Sequence, residues 1–282
     1  MIPKIVLITG ASSGIGFDAA QALGRQGHKV YAAARRVALM EPLRTLGVVP
    51  IKMDVTDEAS MQEGVRRVLE AEGRIDVLIN NAGYGYFGAI ETTPMEDARR
   101  QLEVNVFGLA RLCQLVIPVM RSQGSGRIVN ISSIAGRMVL QFGSWYSISK
   151  YSVEAFSDAL RMEVNPFGID VCIIEPGGIR TDWGLIAAQH LRENALGTAY
   201  ESAALREADL LQFAYSGRWL SSPSIVTRAI LRAVNRRHPR TRYRIGLGSR
   251  MMPFLHAILP SRWWDALIRR FLKIHFKNDI ST

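Results

Sequence analysis

A chain of 282 residues with 48% hydrophobic and 21% charged side chains can bury one large core, which excludes a low-complexity or disordered segment. Cys113 and Cys172, both in apolar stretches, read as buried thiols in a reducing cytoplasm, not as a disulfide, and no metal site is expected. The net charge of +10 is carried by the end of the chain: 14 basic and 2 acidic residues follow from Arg218 onward, whereas the first 217 residues hold 21 basic and 23 acidic.

In chain order, the first apolar run is Ile5–Thr9. It is short and no cleavage site follows, so it reads as a strand and not as a signal peptide. Further strands are expected at Lys29–Ala34, Val48–Met53, Asp76–Asn80, Arg127–Ile131 and Asp170–Glu175, with a short seventh at Tyr243–Gly246. They are rich in Val and Ile and do not alternate, as parallel strands covered on both faces do not. Segments with helical period lie between them, among them Met61–Ala71 and Ala98–Met120. No long uncharged run reaches membrane-spanning length. The fold class is α/β, a single doubly wound (Rossmann) sheet of about seven parallel strands with its ligand crevice at their carboxyl ends. Residues 1–247 form this dinucleotide-binding and catalytic domain. Residues 178–222 break the rhythm and read as a lid over the crevice, and 248–282 read as a basic amphipathic extension.

The first strand runs into Thr9-Gly10-Ala11-Ser12-Ser13-Gly14-Ile15-Gly16. Glycines at this spacing let the backbone turn and approach a pyrophosphate at a helix N-terminus. An NAD site places an acid at the end of the second strand; here that strand ends in Arg35-Arg36, and no carboxylate precedes Glu41. Two guanidiniums favour an adenosine 2′-phosphate, so NADP(H) is expected over NAD(H).

Tyr146 and Lys150 stand four residues apart, on one face of a helix. A cation beside a phenol lowers its pKa, and a phenol so tuned can exchange a proton with an alcohol oxygen. Hydride arriving at a carbonyl carbon leaves charge on oxygen, which Ser133 and Tyr146 can stabilise by donating hydrogen bonds.

Together with Asp54-Val55, Asn80-Asn81-Ala82-Gly83, Asn105 in E-V-N-V-F-G, Ser133 in I-S-S-I-A-G and Pro176-Gly177, these residues resemble the short-chain dehydrogenase/reductase family over about Lys4 to Gly246. The arginines after the second strand and the Asn-Ala-Gly-Tyr-Gly run resemble its steroid and retinol dehydrogenase branch. The resemblance implies that Tyr146 is the general acid/base, that Lys150 holds the nicotinamide ribose, and that Ser133 binds the substrate carbonyl. It implies that Asn105 holds a water on a proton path from Lys150. Gly10, Ser12, Ser13, Gly14, Ile15 and Gly16 would line the pyrophosphate and adenosine ribose. Asp54 and Val55 would meet adenine, Asn81 with Ala82 and Gly83 the ribose side, and Ile179 and Thr181, after Pro176 and Gly177, the carboxamide.

Pocket candidates are Tyr84 and the loop to Phe87, Met138, Val139, Leu140, Phe142, Trp145, Trp183 and Leu185. They are apolar, so a small hydrophobic ketone or secondary alcohol is expected, whether steroid-like, retinoid-like, lipid-like or a bulky aryl ketone. An acyl-carrier-protein 3-oxoacyl ketoreductase is one alternative, and a non-catalytic NADP-binding regulator or scaffold another. In the tail, Ser261 is a candidate N-cap before Trp263, Trp264, Leu267, Ile268, Phe271 and Leu272 on one face, with Arg262, Arg269, Arg270 and Lys273 around it. This helix packs on the protein's own body or a sister subunit, lies on a membrane surface, or covers the pocket. A homo-oligomer, dimer or tetramer, is expected, and nucleic acid is not, because the aromatics do not interleave with the charges.

Overall fold

Six apolar runs and one short segment at the sheet edge become seven parallel strands. The computed structural model describes residues 2–181, 183–216 and 220–274. Strand β1 (Ile5–Thr9) leads to helix α1 (Gly14–Arg25), β2 (Lys29–Ala34) to a 3-10 stretch, and β3 (Val49–Lys52) to α2 (Glu58–Glu72). After β4 (Val77–Asn80) come α3 (Met95–Leu102), a π-helical turn (Glu103–Phe107) and α4 (Gly108–Ser122). Strand β5 (Gly126–Ile131) precedes α5 (Ser144–Val164), and β6 (Ile169–Pro176) precedes α6 (Trp183–Ala195), α7 (Glu201–Ser216) and α8 (Ser224–Asn235). The chain closes with β7 (Arg242–Ile245), α9 (Met251–Ile258) and α10 (Ser261–Ile274).

The sheet order is β3-β2-β1-β4-β5-β6-β7. Its direction of growth reverses between β1 and β4, which opens a crevice at their carboxyl ends. Register explains the unalternating runs. Val6 and Ile8 of β1 enter a core covered by α1 and α8, while Leu7 enters the opposite one, covered by α2, α4 and α5. Both faces of the central strands are buried, so most positions are apolar, with Asn80, Arg127, Asn130 and Glu175 as buried exceptions.

Helix α2 starts three residues before the apolar period does. Asp57 caps it, accepting a bond from the Ser60 amide at 3.1 Å, and that first turn is polar. The continuous helix Met95–Ser122 is long and apolar enough to cross a membrane by length and composition, although Glu103 and Arg111 interrupt the run. In the fold its inner face, with Leu109, Leu112, Cys113, Val116 and Met120, is buried in the core. Both cysteines are free and buried.

Residues 178–222 contain α6 and α7, packed on each other. Their base is pinned: Arg180 N donates to Ser221 O at 3.0 Å, and Ser221 N to Gly178 O at 3.2 Å. In the extension, Ser261 is the first helical residue and not the cap. The Pro260 carbonyl accepts the opening bonds from the Trp263 and Trp264 amides, so proline holds the cap position with no side chain to offer. Trp264 is buried, whereas Trp263 is exposed. The side chains of Phe271, Leu272 and Lys273 lie outside the described residues.

Candidate active site

The cofactor side is built from glycine geometry. Gly10 has φ +65, and a Cβ there would lie 2.7 Å from the Ala82 Cα. A Cβ on Gly16 would lie 2.4 Å from Asn81 Nδ2. The close approach lets Asn81 donate to the Thr9 and Gly10 carbonyls at 3.0 and 3.1 Å, while Thr9 Oγ1 accepts from the Asn81 and Ala82 amides, both at 3.1 Å. Thr9, which no motif reading assigned a role, is thus the clasp between the two loops.

Gly14 differs from its neighbours. Its φ is +54 and nothing would meet a Cβ within 4 Å, so it borders open space. Ser13 caps α1 in an extended conformation without a side-chain bond, and no acid lies in the first turn. The leading amides of this 12-residue helix are therefore free to bind an anion, and the loop fits a pyrophosphate. Ser12 and Ile15 are half-buried beside it. Arg35 and Arg36 are exposed at the carboxyl end of β2 and have no ion pair among the described residues. Asp54 and Val55 are half-buried after β3, where Asp54 Oδ1 accepts from the Thr56 amide at 3.0 Å.

Ser133 follows β5, and its Oγ accepts from the Ala135 amide at 3.1 Å. Tyr146 and Lys150 share a face of α5 and are both buried. Lys150 Nζ donates to the Ile131 carbonyl at 2.9 Å and lies 5.9 Å from the Tyr146 ring centroid. Asn105 sits in the π-helical turn, a local widening that recurs at functional sites. Its Nδ2 donates to Tyr84 O at 2.9 Å and to Ser149 Oγ at 3.0 Å, and its Oδ1 accepts from the Tyr84 amide at 3.0 Å. A Cβ on Gly83 would stand 3.1 Å from Asn105 Oδ1 and 3.6 Å from Lys150 Nζ. Glycine thereby keeps the space between the amide and the ammonium open.

The electrostatics correct one expectation. The net effect on Tyr146 is upward: burial pushes the phenol up to about 12, and the Ser133 hydroxyl only partly opposes this. The ammonium lies over the ring and donates to the Ile131 carbonyl. Burial also pulls Lys150 down to about 8, against the attraction of Glu154. Tyr146 is thus a protonated phenol through neutral pH, the form an acid needs. Glu154, raised chiefly by burial, sits one turn beyond Lys150 in a buried network. There Arg242 meets Glu154 at 3.2 Å and Glu175 at 3.0 Å. The i, i+4, i+8 run Lys150, Glu154, Asp158 was the signal that could have found it.

The substrate side is aromatic. Tyr146 lies 4.9 Å from Trp183 and 6.1 Å from Phe87 between centroids, and Tyr215 lies 6.0 Å from Trp183. Close glycines make room: a Cβ on Gly85 would lie 2.4 Å from the Trp183 ring, and one on Gly184 2.1 Å from Tyr215. Leu140 and Phe142 pack in the same cluster. Phe142 has φ +53, alone among the described non-glycine residues in that region, a strain on the order of 1–2 kcal/mol of the kind stored near functional sites. Val139 is exposed, and Tyr84 and Trp145 are half-buried outside this cluster. Tyr215, deep in the lid and without a motif, was invisible in the sequence. At the far wall, Gly177 N donates to Ile245 O at 2.7 Å. A Cβ there would strike Leu247 O, Pro176 ends β6, Ile179 is buried, and Thr181 is half-buried at the start of the lid. Among the described residues no group of His, Cys, Asp and Glu could hold a metal.

Residues 4–189 match the family model described as short chain dehydrogenase. The chain is 37% identical over 268 residues to the probable short-chain type dehydrogenase/reductase VdlC of Helicobacter pylori, covering 94% of this chain and 96% of that one. It is 38% identical over 248 residues to the 3-ketodihydrosphingosine reductase of Bacteroides thetaiotaomicron, covering 87% and 89%. A crystal structure of a short-chain dehydrogenase from Streptomyces avermitilis superposes with a TM-score of 0.79 at 32% identity, covering 99% of this chain and all of that one.

Proposed function

This chain belongs to the short-chain dehydrogenase family of oxidoreductases, and we propose that it is an NADPH-dependent carbonyl reductase acting on a bulky apolar ketone, with oxidation of the matching secondary alcohol as its reverse. One observation carries this: a buried, protonated Tyr146 beside Ser133 and Lys150, walled by Phe87, Trp183 and Tyr215. The nicotinamide supplies hydride when bound. Ser133 and Tyr146 hold the carbonyl oxygen, and Tyr146 gives it a proton as charge develops there. Lys150, fixed at the Ile131 carbonyl, steadies the phenolate left behind. The gap at Gly83 between Asn105 and Lys150 gives the returning proton a route.

Cofactor preference rests on Arg35 and Arg36, exposed and unpaired among the described residues where a ribose 2′-phosphate would lie. The residues packed around Tyr146 are apolar and aromatic, and the Bacteroides relative is named a 3-ketodihydrosphingosine reductase, so a lipid-like ketone is the reading we favour. Two buried thiols suit a reducing cytoplasm. Ketones of graded chain length, assayed with NADPH and with NADH, test the proposal. Turnover that rises with apolar bulk and prefers NADPH supports it. Tight NADPH binding with no turnover of any ketone would replace it with a regulator.

A further inference from the structure

The chain's surplus charge and part of its exposed apolar surface meet in one place. Edge strand β7 and helix α8 border a groove of about 1060 Å³ lined by Arg228, Arg232, Arg240, Arg242, Arg244 and Arg250, and no carboxylate lines it. Arg242 and Arg244 are paired with Glu154, Asp158 and Glu175. The other four are exposed and have no ion pair among the described residues.

The groove runs on to Leu247 and Met251, where α9 begins, and the surface turns apolar. Met251, Phe254 and Ile258, at i, i+3 and i+7 on one face, are 61%, 62% and 57% exposed. Helix α10 adds Trp263 at 69% and Leu267 at 42%. Its other side turns Trp264 inward, edge-on to His256 at 5.0 Å. Each helix therefore has a second apolar side left exposed among the described residues.

Another copy of this chain is a poor partner, because it would bring two arginine clusters together. A nucleic acid would need aromatics set among the cations for stacking, whereas here Phe254 and Trp263 stand with Met251, Ile258 and Leu267. Lipid phosphates match the arginines, and the acyl boundary matches the apolar side chains with tryptophan at the interface. We infer that α9, α10 and the arginine groove form a docking surface for an anionic lipid bilayer. Helix α10 also packs on α7, whose Tyr215 stacks on Trp183 over Tyr146. Docking sets the lid toward the lipid phase, and, on the apolar-substrate reading above, substrate enters from the bilayer.

The test is sedimentation of the full chain with vesicles of phosphatidylcholine alone or with roughly one-third phosphatidylglycerol. Binding should be at least about tenfold stronger to the anionic vesicles and should fall in high salt. The double variant Phe254→Glu/Met251→Glu, and separately Arg228→Gln/Arg232→Gln/Arg240→Gln/Arg250→Gln, should each lose at least about tenfold of that binding. Turnover of a water-soluble ketone should not change in either, so a failure of docking is distinct from a failure of the reductase reading. Equal binding to both vesicles, no sedimentation with either, or a lipid-free dimer that the Phe254→Glu/Met251→Glu variant dissociates would overturn the inference.

Discussion

The two sides of the crevice are built by different physics. On the cofactor side, contacts of 2.4–2.7 Å to absent Cβ atoms and hydrogen bonds from Asn81 and to Thr9 dictate residue type position by position. On the substrate side, Phe87, Trp183 and Tyr215 meet Tyr146 through ring contacts of 4.9–6.1 Å, which many apolar side chains could replace. The first side is specified by backbone geometry and the second by bulk. A substitution on one side should therefore leave the function of the other intact, and only the residues at the junction should affect both.

Lys150 is such a junction residue, and Lys150→Met is the strongest break after the acid itself. Turnover should fall on the order of 10³-fold. Stability should move the other way. The folded pKa of about 8 lies below the ordinary 10.5, so between those values the unfolded chain binds more protons and wild-type stability rises with pH. Below about pH 8 the full cost of the buried charge is present, on the order of 3 kcal/mol less the lost bond to the Ile131 carbonyl. Thermal melts should show Lys150→Met more stable than wild type at pH 7, with the gap closing toward pH 10.5. A gap that widens with pH would contradict the buried-charge account.

Arg35→Ser/Arg36→Ser tests the cofactor side alone. The NADPH KM should rise about 10- to 100-fold while the NADH KM and the ketone KM hold. Equal effects on both cofactors would make the pair ordinary surface charge. Trp183→Ala tests the substrate side alone: kcat/KM for a bulky ketone should drop about tenfold, with NADPH affinity unchanged in a binding titration. The smallest effect belongs to Val139→Ser. Val139 is exposed, so kcat/KM should stay within about twofold, and a larger loss would move the pocket toward that loop.

The same contrast explains what could be read without coordinates. Strands β1 to β6 were legible because burial on both faces leaves runs rich in Val and Ile, whereas the edge strand β7 alternates Arg242 and Arg244 with Tyr243 and Ile245. Gly10, Gly14 and Gly16 were legible as candidates through their spacing, Tyr146 and Lys150 through the i, i+4 pair, and Ser133 and Asn105 through the family resemblance. Tyr215 was not, since the lid brings it to Trp183 and Tyr146 through packing that sets no pattern in the chain. Nor was the direction of the Tyr146 pKa, which depends on how deeply the ring is buried. The cap of α10 was misread for a similar local reason: Pro260-Ser261 offers two candidates one residue apart, and backbone bonding decides for proline.

The most direct test is NADPH oxidation by Tyr146→Phe beside wild type, with the best ketone of the panel and NADPH affinity measured separately. The site described here predicts unchanged NADPH binding and a loss of turnover on the order of 10²–10⁴-fold. Retained turnover in that variant would contradict Tyr146 as the proton donor and with it the central reading of this crevice.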